Sequence, residues 1–88
     1  MSVSGNANTT TTSQIGLTNN AIIGVTGNTN TVTVNQTGNS NQAYNLLNGN
    51  GNTSTIVQSG NTNLASVNLY GDGNNASVAK LVIITLWL

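Results

Sequence analysis

Residues 27–60 read GNTNTVTVNQTGNSNQAYNLLNGNGNTSTIVQSG, and a single spacing runs through them. Gly27, Gly38, Gly49 and Gly60 stand 11 residues apart, and each is followed three residues later by an asparagine: Asn30, Asn41, Asn52 and Asn63. The count extends in both directions without a miss, to Gly5, Gly16 and Gly71 and to Asn8, Asn19 and Asn74. The unit is therefore Gly-x-x-Asn followed by seven residues before the next Gly.

Inside the unit the enriched positions alternate. The fifth residue after each Gly is small or β-branched (Thr10, Ala21, Val32, Ala43, Ser54, Ala65, Ala76), and the seventh is mostly β-branched and apolar (Thr12, Ile23, Val34, Asn45, Ile56, Val67, Val78). A period of two marks a strand with one buried face, so each half-repeat predicts a strand of about seven residues and a Gly-containing turn. Glycine tolerates positive φ, and the asparagine after it can bond local backbone, which a tight arc between strands requires.

The ninth residue separates odd from even units. It is Gln14, Gln36, Gln58 and then Lys80 in one set, and Val25, Leu47 and Leu69 in the other, so the true period is 22. One coil then holds two strands, and residues 22 apart stack at the ~4.8 Å spacing of a sheet. The spacing predicts one sheet from residues 8–14, 30–36, 52–58 and 74–80 and another from 19–25, 41–47 and 63–69. The fold expected is all-β: a two-sided β-solenoid of strand-arc-strand units and about 3.5 coils over residues 1–80, with an apolar tail over 81–88.

Such a coil is flat, and its inward side chains meet across the ~10 Å gap of two packed sheets. Gln14, Gln36 and Gln58 are expected to bond side chain to side chain up the stack, and the inward asparagines to do the same beside the corners. Identical polar groups in register satisfy one another and avoid the ~1–3 kcal/mol cost of each unpaired buried group.

Composition excludes several classes of function. At 88 residues the chain is at most one domain and cannot enclose a thick apolar core. Its charged side chains are Asp72 and Lys80 alone, too few to neutralise phosphates, so no nucleic-acid partner is expected. The absence of Cys and His removes disulfides, thiolate metal sites and the commonest acid-base group, and the many Ser and Thr have no base to activate them. No catalytic residue, metal or cofactor is expected. Met1 to Thr10 lacks the basic flank and apolar stretch of a secretory signal, and Leu81 to Leu88 is far shorter than the roughly 20 residues of a spanning helix.

The string Gln-x-Gly-x-x-Asn-x-Ala occurs three times, as Gln14-Gly16-Asn19-Ala21, Gln36-Gly38-Asn41-Ala43 and Gln58-Gly60-Asn63-Ala65. It resembles the curlin repeat, the strand-arc-strand unit of the secreted subunits of curli, extracellular bacterial amyloid fibres of the biofilm matrix. The likeness covers about residues 3–80. It differs where Val25, Leu47 and Leu69 stand in place of the family's second Gln, and Asn8, Asn30 and Asn52 in place of its Ser. The resemblance implies an extracellular homopolymer grown by end-on stacking of coils, with the need for a nucleating subunit left open. Physics points the same way: a solenoid end exposes unpaired N–H and C=O groups, and here the first coil has no charge, no Pro and no evident capping helix.

A second reading comes from the outward columns Thr9, Thr31, Thr53 and Thr11, Thr33, Thr55. This Thr-x-Thr array resembles the ice-binding face of antifreeze β-solenoids. It is also what strand propensity alone gives, and its fourth rung is Asn75 and Ser77. Asp72 reads as a corner residue taking the place of an Asn. Lys80, where the Gln ladder would continue, either ends the stack or places a charge at an edge. The tail, with Val82 where a Gly is due and Trp87 in the column of Ala43 and Ala65, is foreign to the repeat. It is read as a cap, a sticky attachment segment, or an accident at the end of a fragment.

Overall fold

Every strand among the described residues adjoins a Gly-containing corner, and the corners stack as regularly as the strands. The computed structural model describes residues 1–80, and the readings of residues 81–88 fall outside them. Eight strands follow in order: β1 (Ser2–Ser4), β2 (Thr9–Ile15), β3 (Asn20–Thr26), β4 (Thr31–Asn39), β5 (Gln42–Asn48), β6 (Thr53–Asn61), β7 (Leu64–Tyr70) and β8 (Asn75–Lys80). They form two four-stranded sheets, ordered β1-β3-β5-β7 and β2-β4-β6-β8. All pairs are parallel with partners 22 residues apart, such as Thr31 with Thr53 and Ala43 with Ala65. The two-sided β-solenoid expected from the 22-residue period is the fold.

Three details differ from the sequence reading. Ser2–Ser4 adds a short strand to the second sheet, paired with Gly24–Thr26, so the stack has four strands a side rather than 3.5 coils. Each full strand begins one residue later than expected, because the Asn of Gly-x-x-Asn is occupied in the corner. At the other end, β4 and β6 run on through Gly38 and Gly60 to Asn39 and Asn61, which pair with each other. The corners themselves continue the ladder: Thr29 N–H donates to the Asn6 carbonyl and Gly51 N–H to the Asn28 carbonyl, both at 2.9 Å.

Between the sheets lies one layer of side chains. Ile23, Val25, Val32, Val34, Ala43, Leu47, Ile56, Ala65 and Val67 are buried, with Ala21, Leu69, Ala76 and Val78 packed against them. These are the fifth, seventh and ninth positions of the repeat, so the alternation read from the sequence assigns the inward face correctly. A fully buried Val or Ile contributes about 1.5–3 kcal/mol, and the remaining inward positions are polar. Asn30, Gln36, Asn41, Asn45, Asn52, Ser54, Gln58 and Asn63 are all buried as well. A core so thin and so polar depends on hydrogen bonding between coils.

Candidate assembly interface

The corner glycine needs its lack of a side chain because the next coil sits directly against it. A Cβ on Gly27, at φ +121°, would lie 1.8 Å from the Gly49 carbonyl oxygen, and one on Gly38 would lie 1.9 Å from that of Gly60. This close stacking brings the glycine carbonyl within reach of the asparagine of the coil below. Asn30 Nδ2 donates to the Gly49 carbonyl at 2.9 Å, and Asn30 Oδ1 accepts the backbone N–H of Asn52 at 2.9 Å. Asn8 does the same to Gly27 and Asn30, and Asn52 to Gly71 and Asn74. On the other edge Asn19 serves Gly38 and Asn41, and Asn41 serves Gly60 and Asn63.

The asparagine ladder is mixed in kind. Side chain to side chain contact occurs from Asn30 to Asn8 and from Asn41 to Asn19, each at 3.1 Å, but the main bonds of this ladder run from side chain to backbone. The physical reason is that a corner leaves one N–H and one C=O with no strand partner, and buried backbone groups must be paired. The asparagine amide has one acceptor and one donor group to satisfy both. At the top of the stack Asn63 and Asn74 instead donate back to the Ser59 and Tyr70 carbonyls.

Gln14, Gln36 and Gln58 form the expected amide ladder. Gln14 Nε2 donates to Gln36 Oε1 at 2.7 Å and Gln36 Nε2 to Gln58 Oε1 at 2.8 Å. Two of the carboxamides also cross the core: Gln36 Nε2 reaches the Asn20 carbonyl at 3.1 Å and Gln58 Nε2 that of Gln42 at 3.0 Å. Lys80 occupies the same place and donates to the Leu64 carbonyl.

A second corner ladder was missed from the sequence. The residue directly after each Gly accepts, through Oδ1, the backbone N–H of its counterpart one coil earlier. Asn28 takes Asn6 N–H at 2.9 Å, Asn50 takes Asn28 at 3.0 Å, and Asp72 takes Asn50 at 2.9 Å. Asn39 and Asn61 do likewise for Leu17 and Asn39. The signal was present as Asn6, Asn28, Asn39, Asn50 and Asn61 in one column, interrupted by Leu17. Only an acceptor is needed there, which is why a carboxylate can stand at Asp72.

The two corner ladders point in opposite directions, and this makes the two ends of the described stack complementary. In every interior rung the upper coil supplies Oδ1 at the position after Gly and an N–H at the asparagine, and the lower coil supplies the converse. The lower face, carried by β1 and β2, ends in Asn6 and Asn8, and the upper face, carried by β7 and β8, ends in Asp72 and Asn74. Outward, the Thr columns stack in register as read, Thr9, Thr31, Thr53 and Thr11, Thr33, Thr55, and continue into Asn75 and Ser77.

Among the described residues no group of three or more His, Cys, Asp or Glu could hold a metal, and no helix is long and apolar enough to cross a membrane. A family model described as Curlin associated repeat matches residues 5–38, 27–60 and 49–79. The three matches begin at Gly5, Gly27 and Gly49, one coil apart. No curated protein and no solved structure is matched.

Proposed function

The chain belongs to the curlin-repeat family, and on that premise we propose that it is a subunit of an extracellular curli-type fibre grown by end-on stacking of solenoid coils. As a member it is a self-assembling structural subunit and not an enzyme. The finer reading is that growth joins the Asp72–Asn74 face of one copy to the Asn6–Asn8 face of another. The single observation that carries it is the opposed polarity of the corner ladders: Asn50 N–H donates upward to Asp72 Oδ1, whereas Asn74 N–H donates downward to Asn52 Oδ1. A second copy placed one coil above repeats both bonds without any change of conformation. The edge strands support the same reading, since their unpaired backbone groups meet no charged side chain on the lower face and only Asp72 and Lys80 on the upper.

The test is quiescent incubation of the purified chain with thioflavin T, followed by electron microscopy and fibre diffraction. Seedable fibres with ~4.8 and ~10 Å reflections are expected. A lag that preformed seeds abolish would place the control in nucleation, where a nucleating partner would act. A soluble β-rich monomer that never elongates on seeds would overturn the proposal.

A second reading, ice binding by the Thr-x-Thr face, is supported by the in-register pairing of Thr31 with Thr53 and Thr33 with Thr55. Replacing Thr31 and Thr33 by Lys would leave the coil intact and abolish any inhibition of ice recrystallisation that the wild type displays.

A further inference from the structure

The glutamine ladder has a direction, and Lys80 and Gln14 sit at its two ends. In each carboxamide Nε2 donates to the coil above while Oε1 accepts from the coil below, as Gln36 does between Gln58 and Gln14. Gln14 Oε1 therefore faces the lower end of the stack and accepts no hydrogen bond among the described residues. At the upper end Lys80 replaces the glutamine. Its Nζ bonds the Leu64 carbonyl just as Gln36 and Gln58 Nε2 bond those of Asn20 and Gln42, so the ammonium occupies the place of the amide nitrogen. An ammonium has three donors and no acceptor. It cannot continue the ladder downward by accepting from Gln58, but it has donors left for an acceptor one coil above.

We propose that Lys80 is the residue that fixes the orientation of assembly, its ammonium donating to Gln14 Oε1 of a second copy stacked on the upper face. The inference rests on the stacking reading above and adds a named contact to it. In register, the residue one coil above Lys80 is the ninth of a half-repeat, and in the first coil of a second copy that residue is Gln14. The pairing is charge-assisted and joins unlike groups. Stacking two upper faces leaves no Gln14 at the junction, and stacking two lower faces leaves no Lys80, so neither alternative can make this bond. Lys80 thus favours head-to-tail addition.

The experiment is seeded elongation of the full chain, read as initial rate and as residual soluble protein at the plateau, with the circular dichroism spectrum of each soluble variant recorded beforehand. Lys80→Glu opposes the carboxylate to Gln14 Oε1 and is expected to slow elongation on wild-type seeds by about 10-fold or more. Gln14→Lys, which brings two ammonium groups together on wild-type seeds, is expected to slow it similarly. The double variant Lys80→Glu with Gln14→Lys, elongating on its own seeds, restores most of the rate because the pair is reversed. If the single variants keep a β-rich spectrum and elongate as fast as wild type, or the double variant is as slow as the product of the two singles, the contact is overturned while stacking survives. A wild type that never elongates overturns the fibre reading and the contact together.

Discussion

Asn30 Oδ1 accepts the backbone N–H of Asn52 at 2.9 Å, and both residues are fully shielded from solvent. The same Asn30 holds the Gly49 carbonyl through Nδ2. Replacement by Ala leaves two buried backbone groups unpaired, each worth about 1–3 kcal/mol. Asn30→Ala is therefore expected to lower the urea midpoint of the soluble chain strongly. Asn74→Ala, whose Nδ2 bonds only the exposed Tyr70, should cost less, of order 1 kcal/mol. Equal losses at the two sites would show that burial of the corner is not what makes the asparagine matter.

Gln36 links three groups at once: it accepts from Gln14 and donates to Gln58 and to the Asn20 carbonyl. Asn41 performs the corner role on the other sheet. Replacing both by Ala removes one rung from each ladder and opens a cavity in a core one side chain thick. Slower seeded elongation and a lower unfolding midpoint are expected, both measured on the same preparation. Elongation kinetics identical to wild type would sink the ladder argument.

How far the sequence could be read follows from which groups the repeat repeats. Gly27 to Gly60 and Asn30 to Asn63 are legible because one residue type alone fits each place, a carbonyl oxygen at 1.8–1.9 Å from a Cβ in the first case and a donor-acceptor pair in the second. Gln14, Gln36 and Gln58 are legible because identical amides in register pair with each other. Ser2–Ser4 was not, since no Gly-x-x-Asn precedes it and its pairing with Gly24–Thr26 is set by the rest of the stack. Asp72 was legible as a corner residue in an Asn's place, but the bonding of the column of Asn28, Asn50 and Asp72 escaped, because it needs only an oxygen and its residue type varies. The side chain to backbone character of the asparagine ladder depends on where the corner leaves N–H and C=O groups, which spacing alone does not reveal.

Backbone strain gives a further prediction. Thr29 lies at φ 57°, and the residue stacked on it one coil later, Gly51, lies at φ 66°. A left-handed conformation costs an L-residue roughly 1–2 kcal/mol, least for Asn and most for a β-branched side chain. Thr29→Asn is expected to raise the midpoint of thermal unfolding, by a stability gain of up to about 1 kcal/mol after loss of the exposed Thr29 hydroxyl bond to the Asn28 carbonyl. Gly51→Thr should lower it by a comparable amount. A destabilised Thr29→Asn would mean that the hydroxyl bond outweighs the strain.

Asn45 interrupts an apolar column. It stacks between Ile23 and Val67, it is fully buried, and neither its Oδ1 nor its Nδ2 has a hydrogen-bond partner among the described residues. Ser54 Oγ is in the same condition, between Val32 and Ala76. The corner at 49–52 folds β6 back on β5, which brings Asn45 level with Ile56 and Ser54 level with Leu47, and the bond from Gln58 Nε2 to the Gln42 carbonyl agrees with that register. Each polar side chain thus stands among apolar neighbours both in its own column and across the core. Removing an unpaired buried amide recovers its desolvation cost, about 1–3 kcal/mol, and a branched side chain already fits the column at Ile23 and Val67. Asn45→Val is expected to stabilise the soluble chain by that order in urea unfolding, with Ser54→Ala neutral or slightly stabilising. A loss of stability on Asn45→Val would instead show that the Asn45 amide finds a hydrogen-bond partner in solution and contributes to the fold.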